Sequence, residues 1–357
     1  MNIHLIPAQK FTDRFIELID SKFAPKSNLI YVYEAGEGFK CIESENTVFI
    51  SDIDEVDLTL LESNGKFFVH GFYDRRVLRF LFRKFKKFKK NQLVLIAWGA
   101  DIYNDRFLLE NNYGLHLKTR IYEIIKRKII CSSNIYMTFA CADAEVMNNY
   151  YGGHGKQFDC LYPSNADIDL LDSLKGKQDK KECVRILLGN SATPTNQHIE
   201  ALDFLKKFSE EKLEIICPLS YGDENYGKQV IDYGKKIFGS KFTPVLNYMS
   251  PSEYSELLNS VQIAVFNHNR QQGTGNIEIL AYLGKKLFLR SDTTTWRHYV
   301  ERDKCCFADT TKIPEMTFND FINFSDEQIE INENYFKKIW DIDYVKSLWD
   351  EVIGYNE

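Results

Sequence analysis

Residues 186–202 read ILLGNSATPTNQHIEAL, and this stretch decides the fold. Ile186, Leu187 and Leu188 form a short apolar run that reads as a buried strand, and Gly189-Asn190-Ser191 ends it. Thr193 followed by Pro194 then opens a helix, because Pro lacks an N–H that would be unpaired at the first helical position anyway. A strand feeding a helix through a turn of small residues is half of a βαβ unit, the building block of a parallel sheet with both faces covered. The same turn has chemical meaning. Free backbone N–H groups and the positive end of a helix dipole meet there, which suits a pyrophosphate, although an ordinary tight turn has the same sequence.

Working outward, the pattern recurs along the whole chain. Apolar β-rich runs at residues 3–6, 29–33, 47–50, 67–70, 93–97 and 135–139 alternate with amphipathic segments such as 11–23, and a second series lies at 184–188, 213–217, 263–266 and 286–289. Strand, helix, strand order predicts two doubly covered parallel sheets, and 357 residues suffice for two domains with a cleft between them. The polar, charge-dense stretch 164–182 is the expected linker. The predicted division is therefore 1–175, 176–330 and a terminal helical segment, 331–357, whose bulky stripe (Tyr335, Phe336, Ile339, Trp340, Tyr344, Leu348, Trp349) must pack on something, with the first domain expected to receive it.

Composition narrows the class. No run of about 20 uncharged apolar residues exists to span a membrane, and residues 1–10 lack the order of a secretory signal, so a cytoplasmic location is expected. The eight cysteines show no CxxC pair or Cys/His ligand spacing and read as reduced, small hydrophobes. The formal charge of −6 is unevenly distributed: residues 75–130 hold 15 Lys/Arg against 4 Asp/Glu, a local +11, leaving −17 elsewhere. RRVLRFLFRKFKKFKK (75–90) reads as a basic helix with Val77, Leu78, Leu81, Phe82, Phe85 and Phe88 on one side, and 117–130 is the next basic helix. Such helices lie on anionic membrane surfaces, or else pack a core with a solvated charged face. Nucleic acid is not expected as a partner, since no recognised binding motif is present.

A second loop of the 189–191 kind follows the run 263–266: NHNRQQGTGN, residues 267–276. Arg270 can pair bidentately with phosphate, Gln271 and Gln272 can bond base or sugar groups, and Gly273, Thr274, Gly275 and Asn276 let a backbone approach closely at the start of a helix. Glu278, a short turn further on, can accept ribose hydroxyls or simply complement the helix dipole. Asn196 in the first stretch and Tyr221 in PLSYG (218–222) complete the set expected to converge beyond the carboxyl ends of the strands. Ser250-Pro251-Ser252-Glu253 is a capping box.

In the first half two strand ends carry reactive groups, HGFYDRR (70–76) and WGADIYN (98–104). Asp101 or His70 can act as general base toward an acceptor hydroxyl, and Asp74, Arg75 and Tyr103 are candidate acceptor-binding residues; a lone His at a strand end is also a common structural group. Asp52-Ile53-Asp54, Asp167-Ile168-Asp169 and Asp341-Ile342-Asp343 all match the DxD pattern of metal–diphosphate binding, and three matches in one chain show how little the pattern specifies. No catalytic metal and no cofactor are expected, with Arg270 and helix N-termini carrying the phosphate charge. No strand is followed by GxGxxG and a downstream acid, which disfavours a nicotinamide oxidoreductase.

GNSATPTNQHIEAL (189–202), PLSYG (218–222), MSPSEYSELL (249–258) and FNHNRQQGTGNI (266–277), with HGFYDRR and AWGADIYN in the first half, together resemble the bacterial TDP-N-acetylfucosamine:lipid II N-acetylfucosaminyltransferases of enterobacterial common antigen synthesis, also labelled 4-alpha-L-fucosyltransferases. The resemblance covers most of the chain. It implies an α/β, GT-B glycosyltransferase of two Rossmann-like domains facing across a cleft, metal-independent, with a nucleotide-sugar donor on the second domain and a lipid-linked saccharide acceptor on the first. It further implies a peripheral enzyme on the inner face of the bacterial inner membrane, using a dTDP-linked acetamido-deoxyhexose such as Fuc4NAc and an undecaprenyl-diphosphate acceptor. A related transferase of capsule or O-antigen synthesis, or a non-catalytic nucleotide-sugar-binding module at a membrane surface, are the alternatives.

Overall fold

The apolar runs all become strands, and all but the edge run 47–50, where Val48 and Phe49 are exposed, are largely buried on both sides, which is why they read as continuous hydrophobic stretches rather than alternating ones. The structure, a computed structural model, describes residues 1–35, 38–104, 117–175 and 183–356. It forms two units, Met1–Asn165 with Ile339–Glu357, and Ala166–Lys338.

In the first unit β1 (Asn2–Pro7), β2 (Asn28–Tyr33), β3 (Thr47–Ile50), β4 (Phe67–His70), β5 (Leu93–Ala97), β6 (Ile135–Thr138) and β7 (Lys156–Asp159) make a seven-stranded sheet in the order β3-β2-β1-β4-β5-β6-β7. All its pairings are parallel. Alternation along β2 sends Tyr31 and Tyr33 into one core layer and Ile30 and Val32 into the other. In the second unit β8 (Val184–Leu188), β9 (Leu213–Pro218), β10 (Phe242–Val245), β11 (Ile263–Phe266), β12 (Lys286–Leu289) and β13 (Ala308–Asp309) form a parallel sheet in the order β10-β9-β8-β11-β12-β13.

The helical tail is broken where the sequence pattern runs on. Asp341 leaves helical geometry and its side chain accepts from the Tyr344 amide at 2.8 Å, so one helix ends at Trp340 and another covers Ile342–Gly354. The second helix sets Val345, Trp349 and Val352 into the first unit's core, and Trp349 donates its indole N–H to the Leu161 carbonyl at 2.9 Å.

The basic segment is built differently from its expected amphipathic face. In the helix Arg75–Lys84, Val77, Leu78, Phe80 and Leu81 are buried in the sheet's core layer, while Phe82 is exposed and Phe85 and Phe88 fall outside the helix. The neighbouring helix Leu117–Ser132 packs against it and carries the exposed apolar stripe, Leu117 (73% exposed), Ile121 and Ile124, among Lys118, Arg120, Arg127 and Lys128. Among the described residues no helix is long and apolar enough to cross a membrane.

Candidate functional site

Strand order in the second sheet reverses between β8 and β11, and the ends of these two strands mark the usual ligand position in an open parallel sheet. The loops leaving them are residues 189–197 and 267–273, the pair the sequence singles out. They are tied to their surroundings through the backbone: Gly189 N–H donates to the Val265 carbonyl, and Asn269 N–H to the Thr195 carbonyl, both at 3.0 Å. The loop after β9 is zipped on as well, with Ala192 N–H donating to Tyr221 and Asp223 N–H to Ala192, each at 2.8 Å.

The path from strand to helix is less direct than expected. Pro194–Asn196 form a single 3-10 turn, Gln197 adopts a left-handed conformation (φ 51°), and the helix proper is His198–Leu205. Its first amide is already used, because His198 N–H donates to the Tyr226 hydroxyl at 3.0 Å. One amide of this helix start is thus spent within the protein. The role of the helix start is to bring His198 beneath the turn. A Cβ on Gly189, whose φ is +66°, would lie 2.4 Å from His198 Nε2, so only glycine fits both the conformation and the space. Burial lowers the His198 pKa to about 3, and its Nε2 has no hydrogen-bond partner among the described residues.

Asn196 is the hub of the site rather than a ligand contact. Its carboxamide oxygen accepts from the Asn190 amide (3.1 Å) and faces His268 Nε2 (2.9 Å), and its nitrogen donates to Ser191 Oγ (3.3 Å) and the Thr193 carbonyl (3.2 Å). Burial lowers the His268 pKa to about 3, so the ring is neutral and its Nε2–H is the donor in that bond. Gln272 is likewise spent between the loops: its oxygen accepts from the Thr195 hydroxyl and its nitrogen reaches Asn190 Oδ1 at 3.4 Å. Sequence spacing could not show this, because the partners lie some seventy to eighty residues apart.

What faces outward is a smaller set. The helix Thr274–Tyr282 starts from Gly273 in the left-handed region (φ 68°) with no side-chain cap, and a Cβ on Gly275 would meet open space. The Asn276 amide donates to the Gly273 carbonyl at 3.0 Å, so the amides of Thr274 and Gly275, with the dipole behind them, are those that suit an anion. Half-buried Arg270 stands on the same loop, donating to the Gln271 carbonyl at 2.9 Å, and Gln271 is buried with its oxygen unpartnered. Asn276 donates to the Tyr254 hydroxyl (2.9 Å), Asn190 to the Tyr221 hydroxyl (3.1 Å), and Glu278 is half-buried on the helix.

In the first unit aromatic side chains pack beneath the ends of β1 and β4, and a cavity of about 1110 Å³ opens beside them over the ends of β1, β2 and β3, lined by Ala8, Tyr33, Glu34, Ile50 and Arg76. His70 is fully buried in a chain of hydrogen bonds: Trp98 Nε1 to Tyr162 Oη (3.2 Å), Tyr162 Oη to His70 Nδ1 (2.5 Å), His70 Nε2 to His4 Nδ1 (3.0 Å), and His4 Nε2 to Asn28 Oδ1 (3.1 Å). One proton assignment satisfies the series, with both imidazoles neutral and protonated on Nε2. Burial enforces it, lowering His4 to about 4 and His70 well below its ordinary value. Asp101 is buried too. Its carboxylate accepts from the Trp98 amide (2.8 Å) and the Phe72 amide (3.1 Å), stapling the two strand-end loops, and burial raises its pKa to about 6. In this geometry His70 holds the Tyr162 hydroxyl and Asp101 holds the backbone of both loops. Asp74 caps the basic helix and pairs with Arg76 at 2.8 Å, exposed Arg75 lies over the Tyr122 ring, and the Tyr103 hydroxyl donates to Asp143 at 2.6 Å.

Five of the six DxD aspartates have partners within the protein. Asp52, Asp167 and Asp341 cap helical turns, Asp54 pairs with Arg83 and Asp343 with Lys22.

A family model described as 4-alpha-L-fucosyltransferase, glycosyl transferase group 56, matches residues 53–340. Among solved structures the chain is similar to WaaG, a glycosyltransferase involved in lipopolysaccharide biosynthesis, at 12% identity and a TM-score of 0.61, over 99% of this chain and 100% of that one. The E. coli trehalose-6-phosphate protein bound with UDP-2-fluoro glucose gives 9% and 0.63 over 99% and 100%, and the N-terminal domain of Candida albicans trehalose-6-phosphate phosphatase 10% and 0.65 over 99% and 96%. At such identities the likeness is one of fold, the GT-B architecture of two Rossmann-like parallel sheets.

Proposed function

The chain belongs to the 4-alpha-L-fucosyltransferase family of glycosyltransferases, and on that premise we propose that it moves an acetamido-deoxyhexose of the Fuc4NAc type from a dTDP-sugar to an undecaprenyl-diphosphate-linked saccharide in surface polysaccharide synthesis. The observation that carries this proposal is the cross-tied pair of loops at the switch point of the second sheet, which leaves Arg270 and the uncapped first turn of Thr274–Tyr282 as a ready anion site. There the diphosphate of the donor is held and its departing charge stabilised, while the acceptor hydroxyl attacks the anomeric carbon and the nucleoside diphosphate leaves with the bonding electrons. His198 and Asn196 keep the turn in shape beneath it.

The first unit takes the acceptor at the inner face of the bacterial membrane. The exposed Leu117, Ile121 and Ile124, set among lysines and arginines, support this: apolar side chains enter the headgroup region while each nearby cation adds about 1 kcal/mol on an anionic surface.

Calorimetric titration with dTDP-, UDP- and GDP-sugars, in chelator, tests the proposal. Tight binding of a dTDP-sugar that weakens about 10- to 100-fold in Arg270→Ala is expected, the range of one or two charge-assisted hydrogen bonds. Unchanged affinity in that variant removes the phosphate role of Arg270, and binding of no nucleotide sugar removes the donor site.

A further inference from the structure

Beside the anion site the second unit exposes two aromatic rings. Tyr221 follows β9 and is 47% exposed; Tyr248 follows β10 and is 78% exposed; Leu246, two residues before it, is exposed as well. The tyrosine rings stack, with centroids 6.1 Å apart and planes 25° from parallel. A third ring needs roughly 7 Å of clearance to enter between two others, given optimal carbon contacts of about 3.5 Å on each side. The pair therefore acts as one thick platform whose free face belongs to Tyr248. Its inner ring is anchored in the anion site, because Asn190 donates to the Tyr221 hydroxyl at 3.1 Å and Ala192 to its carbonyl at 2.8 Å. β9 and β10 are held in register beneath, Val245 opposite Pro218, with Leu219 N–H donating to the Val245 carbonyl at 2.8 Å.

We propose that Tyr248, backed by Tyr221 and flanked by Leu246, is the stacking platform for the nucleobase of the donor. This rests on the nucleotide-sugar function proposed above. A nucleoside diphosphate offers a flat π-face at one end and a dianionic pyrophosphate at the other, and these two adjacent surfaces match both ends. Among the described residues Tyr248 is the most exposed large hydrophobic side chain, so its ring is open to a ligand.

The test is calorimetry on the full chain with dTDP, UDP and inorganic pyrophosphate as probes. Tyr248→Ala should weaken both nucleotides about tenfold or more, in keeping with base stacking on an aromatic side chain, and Tyr248→Phe should restore them because stacking needs the ring and not the hydroxyl. Pyrophosphate affinity should stay as in the unsubstituted chain. Nucleotide affinity unchanged in Tyr248→Ala overturns the platform alone, and equal losses of nucleotide and pyrophosphate overturn it in favour of a structural role. Failure of the unsubstituted chain to bind either nucleotide overturns the donor site, and the platform with it.

Discussion

The two sheets share one topology, yet their switch points are built in opposite ways. Between β8 and β11 the chain uses Gly189 and Gly273 in left-handed turns, spends Asn196, His268 and Gln272 on bracing loop to loop, and starts the helix Thr274–Tyr282 without a side-chain cap. Between β1 and β4 it packs Phe11, Phe15, His70, Trp98, Tyr162 and Trp349 into one aromatic cluster and spends its polar groups inside that cluster. Position in a Rossmann-like sheet thus marks where a ligand can go, and the residues at that position decide which polar groups meet it. A diphosphate needs amides and a cation. A saccharide on a membrane-bound carrier needs firm walls.

The comparison is most exposed to failure at Asp101. Removing its carboxylate leaves the buried Trp98 and Phe72 amides without acceptors, so Asp101→Ala should destabilise the first unit by about 3–5 kcal/mol in urea unfolding, and Asp101→Asn by clearly less. Nucleotide binding by the second unit should survive. If Asp101→Ala folds as well as the unsubstituted chain but loses transfer, Asp101 acts in the chemistry and the two switch points are less different than their packing indicates.

Acid should act on both units, through paired buried histidines: His4 and His70 in one, His198 and His268 in the other. Their folded pKa values are lowered, so below about pH 6.5 the unfolded chain binds more protons and stability falls as pH falls toward about 4 to 3. Between pH 6.5 and 5 each should cost roughly 2 kcal/mol. His198→Gln should flatten the acid slope of the second unit alone, and a slope that does not change would mean that His198 is not held neutral.

The smallest effect concerns the membrane. Leu117, Ile121 and Ile124 together changed to Ser should lower partition onto anionic vesicles by about tenfold, since exposed side chains bury only part of their surface there. Equal sedimentation of the triple variant would move the contact to the lysines at 84–90.

Strands of the central sheet were legible because burial on both faces leaves an unbroken apolar run. The edge strands β7, β10 and β13 were not: Lys156–Asp159 is half exposed, Phe242–Val245 contains Pro244, and Ala308–Asp309 is two residues long. The loops of the second unit were legible for the same local reason, a strand that stops at small residues before a helix. The tail was misread at Asp341, where a capping carboxylate outweighs a continuous apolar period.

By itself the sequence determined two parallel sheets, the glycine turns of the second, the cationic segment of the first and the family resemblance, because all of these depend on residues within a few positions of one another. Only the tertiary structure decided that Asn196 and Gln272 brace loop against loop, that His70 joins His4 and Tyr162 in a neutral chain, and that the exposed apolar stripe lies on Leu117–Ser132 rather than on Arg75–Lys84. Those outcomes turn on partners far apart in the chain, as in the 92-residue separation of His70 and Tyr162, and which polar group is spent and which is free is set by what folding brings against it.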